Sequence, residues 1–243
     1  MKVKPILFNT EMVWALLDGR KSCTRRLVKT RRKDACGFYV TRRKADGLFA
    51  GIYEYDENES MFDNQLEPPY QPGDILYVRE TWRVGAWDIF NQMVAFDYKD
   101  GTCGKLTYIQ DRELFDRLVN QSRNDARQAK CEYNGVDFVW EKGKSPCRWH
   151  PSIHMPKEAA RIWLKVTDVR VERLQEITIE GIRNEGLTSA AVHAGDMEIA
   201  LEEWKLLWDS TVNKDEVALY GWDANPFVWV IEFERCEEPE GEE

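Results

Sequence analysis

A chain of 243 residues and 28.5 kDa makes one large domain or two small ones, long enough to bury a core without disulfides or metals. Its 34 basic and 43 acidic side chains give a net charge of −9, while 10 Trp, 9 Tyr and 10 Phe exclude a disordered polyelectrolyte. No run reaches the ~18 apolar residues of a membrane span, the opening Met1–Asn9 holds too short an apolar stretch for a signal peptide, and six scattered Cys form no CxxC pair. The expectation is a cytoplasmic protein with reduced thiols, no membrane partner and no cofactor.

Ile6-Leu7-Phe8 reads as a short buried strand. Thr10 then caps a helix carrying Val13, Leu16 and Leu17 at i, i+3, i+4, which Gly19 ends. Residues 24–29 resume as a strand. Between Arg20 and Lys44 stand eleven basic residues against one acid, Asp34, so a globally acidic chain carries one concentrated basic segment. That segment is either a solvated loop or a phosphate-facing patch, because local field rather than net charge attracts a polyanion.

Residues 45–69 are acidic and rich in turn formers, and are expected to run over the surface as a loop. Pro72-Gly73-Asp74 then opens a strand in which Leu76 and Val78 alternate with Tyr77 and Arg79. Val94, Phe96 and Tyr98 alternate toward Asp100-Gly101, a hairpin signal with Leu106 and Tyr108 on the return. Residues 110–130 are helix-permissive but weakly amphipathic. A strand is expected near 160–173, a short helix from Thr178 to Glu185 ended by Gly186, and a longer helix capped by Asp196. Phe227–Phe233 closes the chain as a strand, and Glu237–Glu243 is an acidic tail. Short strands between turns, with helices outside, point to an α+β fold built on a small barrel with an insertion.

Gly19-Arg20-Lys21-Ser22-Cys23-Thr24-Arg25-Arg26 resembles the G-x-K-x-x-T-x-R signature of the ASCH domain, a PUA-like β-barrel family. Pro72-Gly73-Asp74, the segment Leu174–Gly186 with its terminal Glu-Gly, and the strand Asn225–Phe233 follow in the family's order. Val78-Arg79-Glu80-Thr81-Trp82 and Trp149–Pro156 resemble a phage and prophage branch, whose members carry an assembly-related label with little mechanism behind it. The likeness covers about residues 4–82 and 148–235, within one domain, and leaves 83–147 as an insertion.

Lys21 and Thr24, three apart beyond a helix end, can serve as base and nucleophile without a histidine, with Glu185 protonating a leaving amine. The resemblance implies the same roles, because small ASCH amidohydrolases remove acetyl from acetylcytidine with a Lys, Thr and Glu. Arg20, Arg25, Arg26, Glu80, Trp82 and His154 are candidates for binding a nucleoside, RNA or DNA, with Trp82, Trp149 or Trp163 able to stack a base. Glu80 is either paired with an arginine or a second acid. Cys147, His150 and His154 lack a fourth ligand, and Pro151 breaks their spacing, so no metal site is expected. The leading expectation is a hydrolase acting on a modified base. A non-catalytic RNA or modified-DNA reader is the alternative, and a phage assembly protein the third reading.

Overall fold

The computed structural model describes residues 1–47 and 49–239, so Glu240–Glu243 of the acidic tail lie outside the described residues. Strand β1 (Val3–Leu7), helix α1 (Thr10–Leu17) and strand β2 (Cys23–Leu27) fall where the sequence pattern places them, within a few residues. Gly19 leaves α1 at φ +72°, a left-handed conformation that a Cβ disfavours. The expected loop is where sequence and structure part. Strands β3 (Gly37–Arg42), β4 (Phe49–Tyr55) and β5 (Met61–Gln65) form an antiparallel sheet across it. Ile52 and Glu54 are buried there, and their period-two alternation with Tyr53 and Tyr55 is masked in sequence by dense acids.

Strands β6 (Ile75–Arg79), β7 (Trp82–Asp88), β8 (Met93–Tyr98) and β9 (Thr107–Tyr108) follow, then helix α2 (Arg112–Gln128) and the two-stranded β10 (Glu132–Tyr133) and β11 (Phe138–Val139). The long strand β12 (Trp163–Arg173) precedes helices α3 (Ile179–Asn184), α4 (Ala190–Ala194), α5 (Met197–Thr211) and α6 (Val217–Tyr220), and β13 (Phe227–Cys236) closes the chain. Thr178 and Asp196 cap α3 and α5 as expected, accepting from the backbone N–H of Gly181 and Ile199.

The described residues group into two compact units. Unit 1 comprises Met1–Lys2, Ala15–Ile75 and Leu164–Cys236; unit 2 is built on Val3–Trp14 and Leu76–Trp163. In unit 1 the strand order is β12-β13-β2, with Trp229 opposite Arg26 and Ile231 opposite Thr24. Leu174, Ile182, Trp204 and Trp208 form its core with Val228 and Val230 of β13. In unit 2, β1 lies beside β6, and β7, β8 and β9 make an antiparallel sheet.

Residues 110–130 are not peripheral within unit 2. Helix α2 buries Leu114, Phe115, Leu118 and Val119 against Trp82, Phe96 and Tyr98. The buried face continues through Ser122 and Ala126, small residues that do not register as an apolar stripe, which is why the second half of the helix reads as weakly amphipathic. The chain is thus mixed α+β. None of its sheets closes into a barrel among the described residues, and no described helix is long and apolar enough to cross a membrane.

Candidate functional site

The turn between α1 and β2 is built by backbone. Arg20 N–H and Lys21 N–H both donate to the Ala15 carbonyl, at 2.8 and 3.0 Å, and Ser22 N–H donates to the Asn184 carbonyl at 2.9 Å. Gly186 makes this approach possible. It sits at φ +98°, and a Cβ there would fall 2.7 Å from the Ala15 Cβ and 3.2 Å from the Lys21 Cβ. The Glu-Gly ending of α3 is therefore a close-approach device that delivers Glu185 to Lys21.

Lys21 Nζ donates to Glu185 Oε2 at 2.7 Å and to the Glu185 carbonyl at 2.9 Å. The two side chains are 0% and 3% exposed. Arg25 Nη1 donates to Glu185 Oε1 at 3.3 Å, while its Nη2 reaches Glu172 at 3.2 Å. Arg170 continues the alternation, joining Glu172 at 2.6 Å to Glu232 and to Asp168. The result is a chain of alternating charges from the sealed Lys21 ammonium to the half-exposed Arg170. Such pairing offsets the desolvation that would make any one of these charges costly. The Arg25 Nε–H is buried without a partner, an unsatisfied donor beside the Glu185 carboxylate. Burial, reinforced by Glu185, pushes the Cys23 thiol up to about 12, which keeps it protonated and inert.

Thr24 is 2% exposed, and its hydroxyl makes no side-chain hydrogen bond among the described residues. Alternation along β2 directs it away from the face of Cys23 and Arg25, whose sulfur and guanidinium meet at 3.9 Å. Of the expected trio, Lys21 and Glu185 are in direct contact, and Thr24 is bonded to neither. Arg20 is tied to Asp18 and to the Gly186 carbonyl at 2.6 Å. Arg26 is lowered from its ordinary value by burial, with Tyr70 and Glu185 opposing, and burial in turn raises Tyr70.

The basic segment is largely neutralised. Lys29 pairs with Glu216, Arg32 with Asp34 and Arg43 with Asp46, in addition to the pairs of Arg20, Lys21 and Arg25. Arg31 N–H and Arg32 N–H both donate to the buried Glu54 carboxylate. At least six of the eleven cations thus hold an acid among the described residues.

The remaining candidates belong to unit 2. Glu80 accepts a bidentate pair from Arg161, Nε and Nη2 each at 2.8 Å, and Arg161 also holds Asp100 at 2.8 Å while its guanidinium lies 4.0 Å from the Tyr98 ring. Burial raises the Glu80 carboxyl above its usual range against the opposing pull of Arg161. Trp82 is a core residue, stacked on the His150 ring at 4.7 Å and edge-on to Phe96. Trp163 lies beside Tyr77, and Trp149 lies between Arg83 and Lys99, each 4.6 Å from its ring. His154 is exposed, and Cys147 is buried with its thiol toward the Ser122 carbonyl. No cluster of three potential metal ligands occurs among the described residues.

Sequence reasoning missed Arg170, Glu172 and Glu232 of the charge chain. Their signal was present: Asp168, Arg170 and Glu172 alternate with Val169 and Val171 on one strand.

No family model, curated protein or solved structure matches this chain.

Proposed function

We propose that unit 1 is a hydrolase of the ASCH amidohydrolase type, acting on an acylated base or nucleoside such as acetylcytidine without a cofactor, in a PUA-like setting. One observation carries the reading: a sealed Lys21–Glu185 pair, assembled across 164 residues of sequence at a glycine that exists for that approach. Amide hydrolysis needs a nucleophile at the carbonyl, a donor for the resulting oxyanion, and a proton for the amine as the C–N bond breaks. In this reading Glu185 carries the proton, Lys21 holds the Glu185 carboxyl group, and the unpaired Arg25 Nε–H supplies an oxyanion donor.

The test is incubation of the full chain with a panel of N-acylated nucleosides, read by mass spectrometry. Deacylation is expected, with Glu185→Gln reducing turnover by about 100-fold or more, the scale of a lost general acid. Thr24→Ala then names the nucleophile: lost turnover with the fold intact assigns the hydroxyl, and retained turnover assigns a water. A panel left untouched by the wild-type chain refutes the proposal.

A second reading, a single-stranded nucleic-acid reader, is favoured by the β3–β5 sheet. Its register puts Tyr39 opposite Tyr53 and Gly37 opposite Tyr55, so three tyrosines share the face away from buried Ile52 and Glu54. The Tyr39 and Tyr55 rings are 4.7 Å apart, and Tyr55 lies over Gly37, where a Cβ would strike its ring. Flat aromatic faces on a sheet suit base stacking, at roughly 1–3 kcal/mol per base. In this reading Tyr39→Ala weakens binding of a labelled single-stranded RNA while leaving deacylation unchanged.

A further inference from the structure

Unit 2 contains a cavity of about 850 Å³, within the range of small-molecule sites. One wall is the β7–β8 pair and the other is the β10–β11 hairpin with Trp140. The indoles of Trp87 and Trp140 meet edge to face at 5.1 Å. Their N–H groups are already spent: Trp87 Nε1 donates to Asp137 at 2.8 Å and Trp140 Nε1 to the Gly85 carbonyl at 2.7 Å. Both rings are thereby fixed before any ligand arrives, which lowers the ordering cost of binding. Phe90, Val136 and Leu106 line the cavity while 84%, 57% and 43% exposed, an apolar surface that the core of the unit leaves uncovered.

The charges lining the cavity decide what would fill it. Asp137 is neutralised by Arg123, Asp97 by Arg83, and Asp88 accepts from Asn91 and from the backbone N–H of Phe90. Lys105 and Lys142 also line the cavity, and their ammonium groups form no ion pair or hydrogen bond among the described residues. The acids are satisfied and the two cations are not. A cationic ligand would find only Asp88 without a cation, its oxygens already accepting from three N–H groups, whereas an anion would find two uncommitted lysines beside fixed aromatic walls.

We propose that this cavity is a binding site for a flat aromatic molecule carrying an anionic group, separate in residues and chemistry from the Lys21–Glu185 pair. The proposal does not depend on the hydrolase reading, because no residue is shared between the two.

The test uses the full chain and two fluorescent probes: 1-anilinonaphthalene-8-sulfonate, aromatic and anionic, and N-phenyl-1-naphthylamine, its uncharged counterpart. Saturable one-to-one binding of both is expected, with energy transfer from tryptophan. The exposed double substitution K105A/K142A is expected to weaken the sulfonate roughly fivefold or more, as two rim charges would, and to leave the uncharged probe within about twofold. Val139→Trp, which fills the cavity, is expected to abolish binding of both probes while circular dichroism stays unchanged. Equal loss of both probes in K105A/K142A, or sulfonate binding unaffected by it, overturns the proposal whether or not Val139→Trp folds.

Discussion

Replacing Glu185 with Gln leaves Lys21 and Arg25 facing a neutral amide in a sealed environment. Lys21 would keep its bond to the residue's carbonyl at 2.9 Å but lose the carboxylate at 2.7 Å, and Arg25 would retain Glu172 alone. Breaking a buried ion pair from one side costs about 3–5 kcal/mol, because the surviving charge stays desolvated. With a urea slope of ~2–3 kcal/mol/M, the midpoint should fall by about 1–2.5 M. Removing both ends, as in K21M/E185L, exchanges two desolvated charges for apolar volume and should cost less than either single change. The coupling from the double-mutant cycle should therefore reach at least about 2 kcal/mol. Urea titration of the wild type, K21M, E185L and K21M/E185L, followed by circular dichroism, measures it. Single variants each losing less than ~1 kcal/mol, with effects that simply add, would refute the claim that this pair is a desolvated unit.

Gly186→Ala forces a Cβ into 2.7 Å contact with Ala15 at a positive φ; it should cost on the order of 1–3 kcal/mol in the same titration. Phe115→Ala, which empties the α2 side of the unit 2 core, should cost about 3–5 kcal/mol, and deletion of residues 110–130 should unfold unit 2, as limited proteolysis would report. Asp137 is pushed up by burial, but its bonds from Arg123 and Trp87 outweigh that and hold it below its ordinary value. A depressed carboxyl stabilises the fold above its unfolded pKa and loses that contribution as pH falls through the folded one. Tryptophan fluorescence should therefore report loosening around Trp87 below about pH 4, and Asp137→Asn should remove that transition.

Local chemistry made much of the chain legible. Thr178 and Asp196 name their helix starts because a side-chain oxygen satisfies free N–H groups within three residues. Gly19 and Gly186 mark helix ends because their backbone turns left-handed. The alternation of Phe227–Phe233 is enough to give β13. The candidate residues Lys21 and Glu185 could be singled out one at a time, but their contact could not, since it depends on how closely Gly186 lets α3 approach the α1–β2 turn.

The basic segment shows the limit most clearly. Its composition is a property of the sequence, yet its field is set by Asp34, Asp46, Glu54, Glu185 and Glu216, acids that folding brings to it from as far as 187 residues away. The β3–β5 sheet was hidden for a related reason, because its pairing stabilises acidic strands that local propensity assigns to a loop. Sequence determined which residue types were present and where local turns and caps would form. Tertiary structure decided which charges remained free, because Coulombic pairing and desolvation depend on distance in space rather than on separation along the chain.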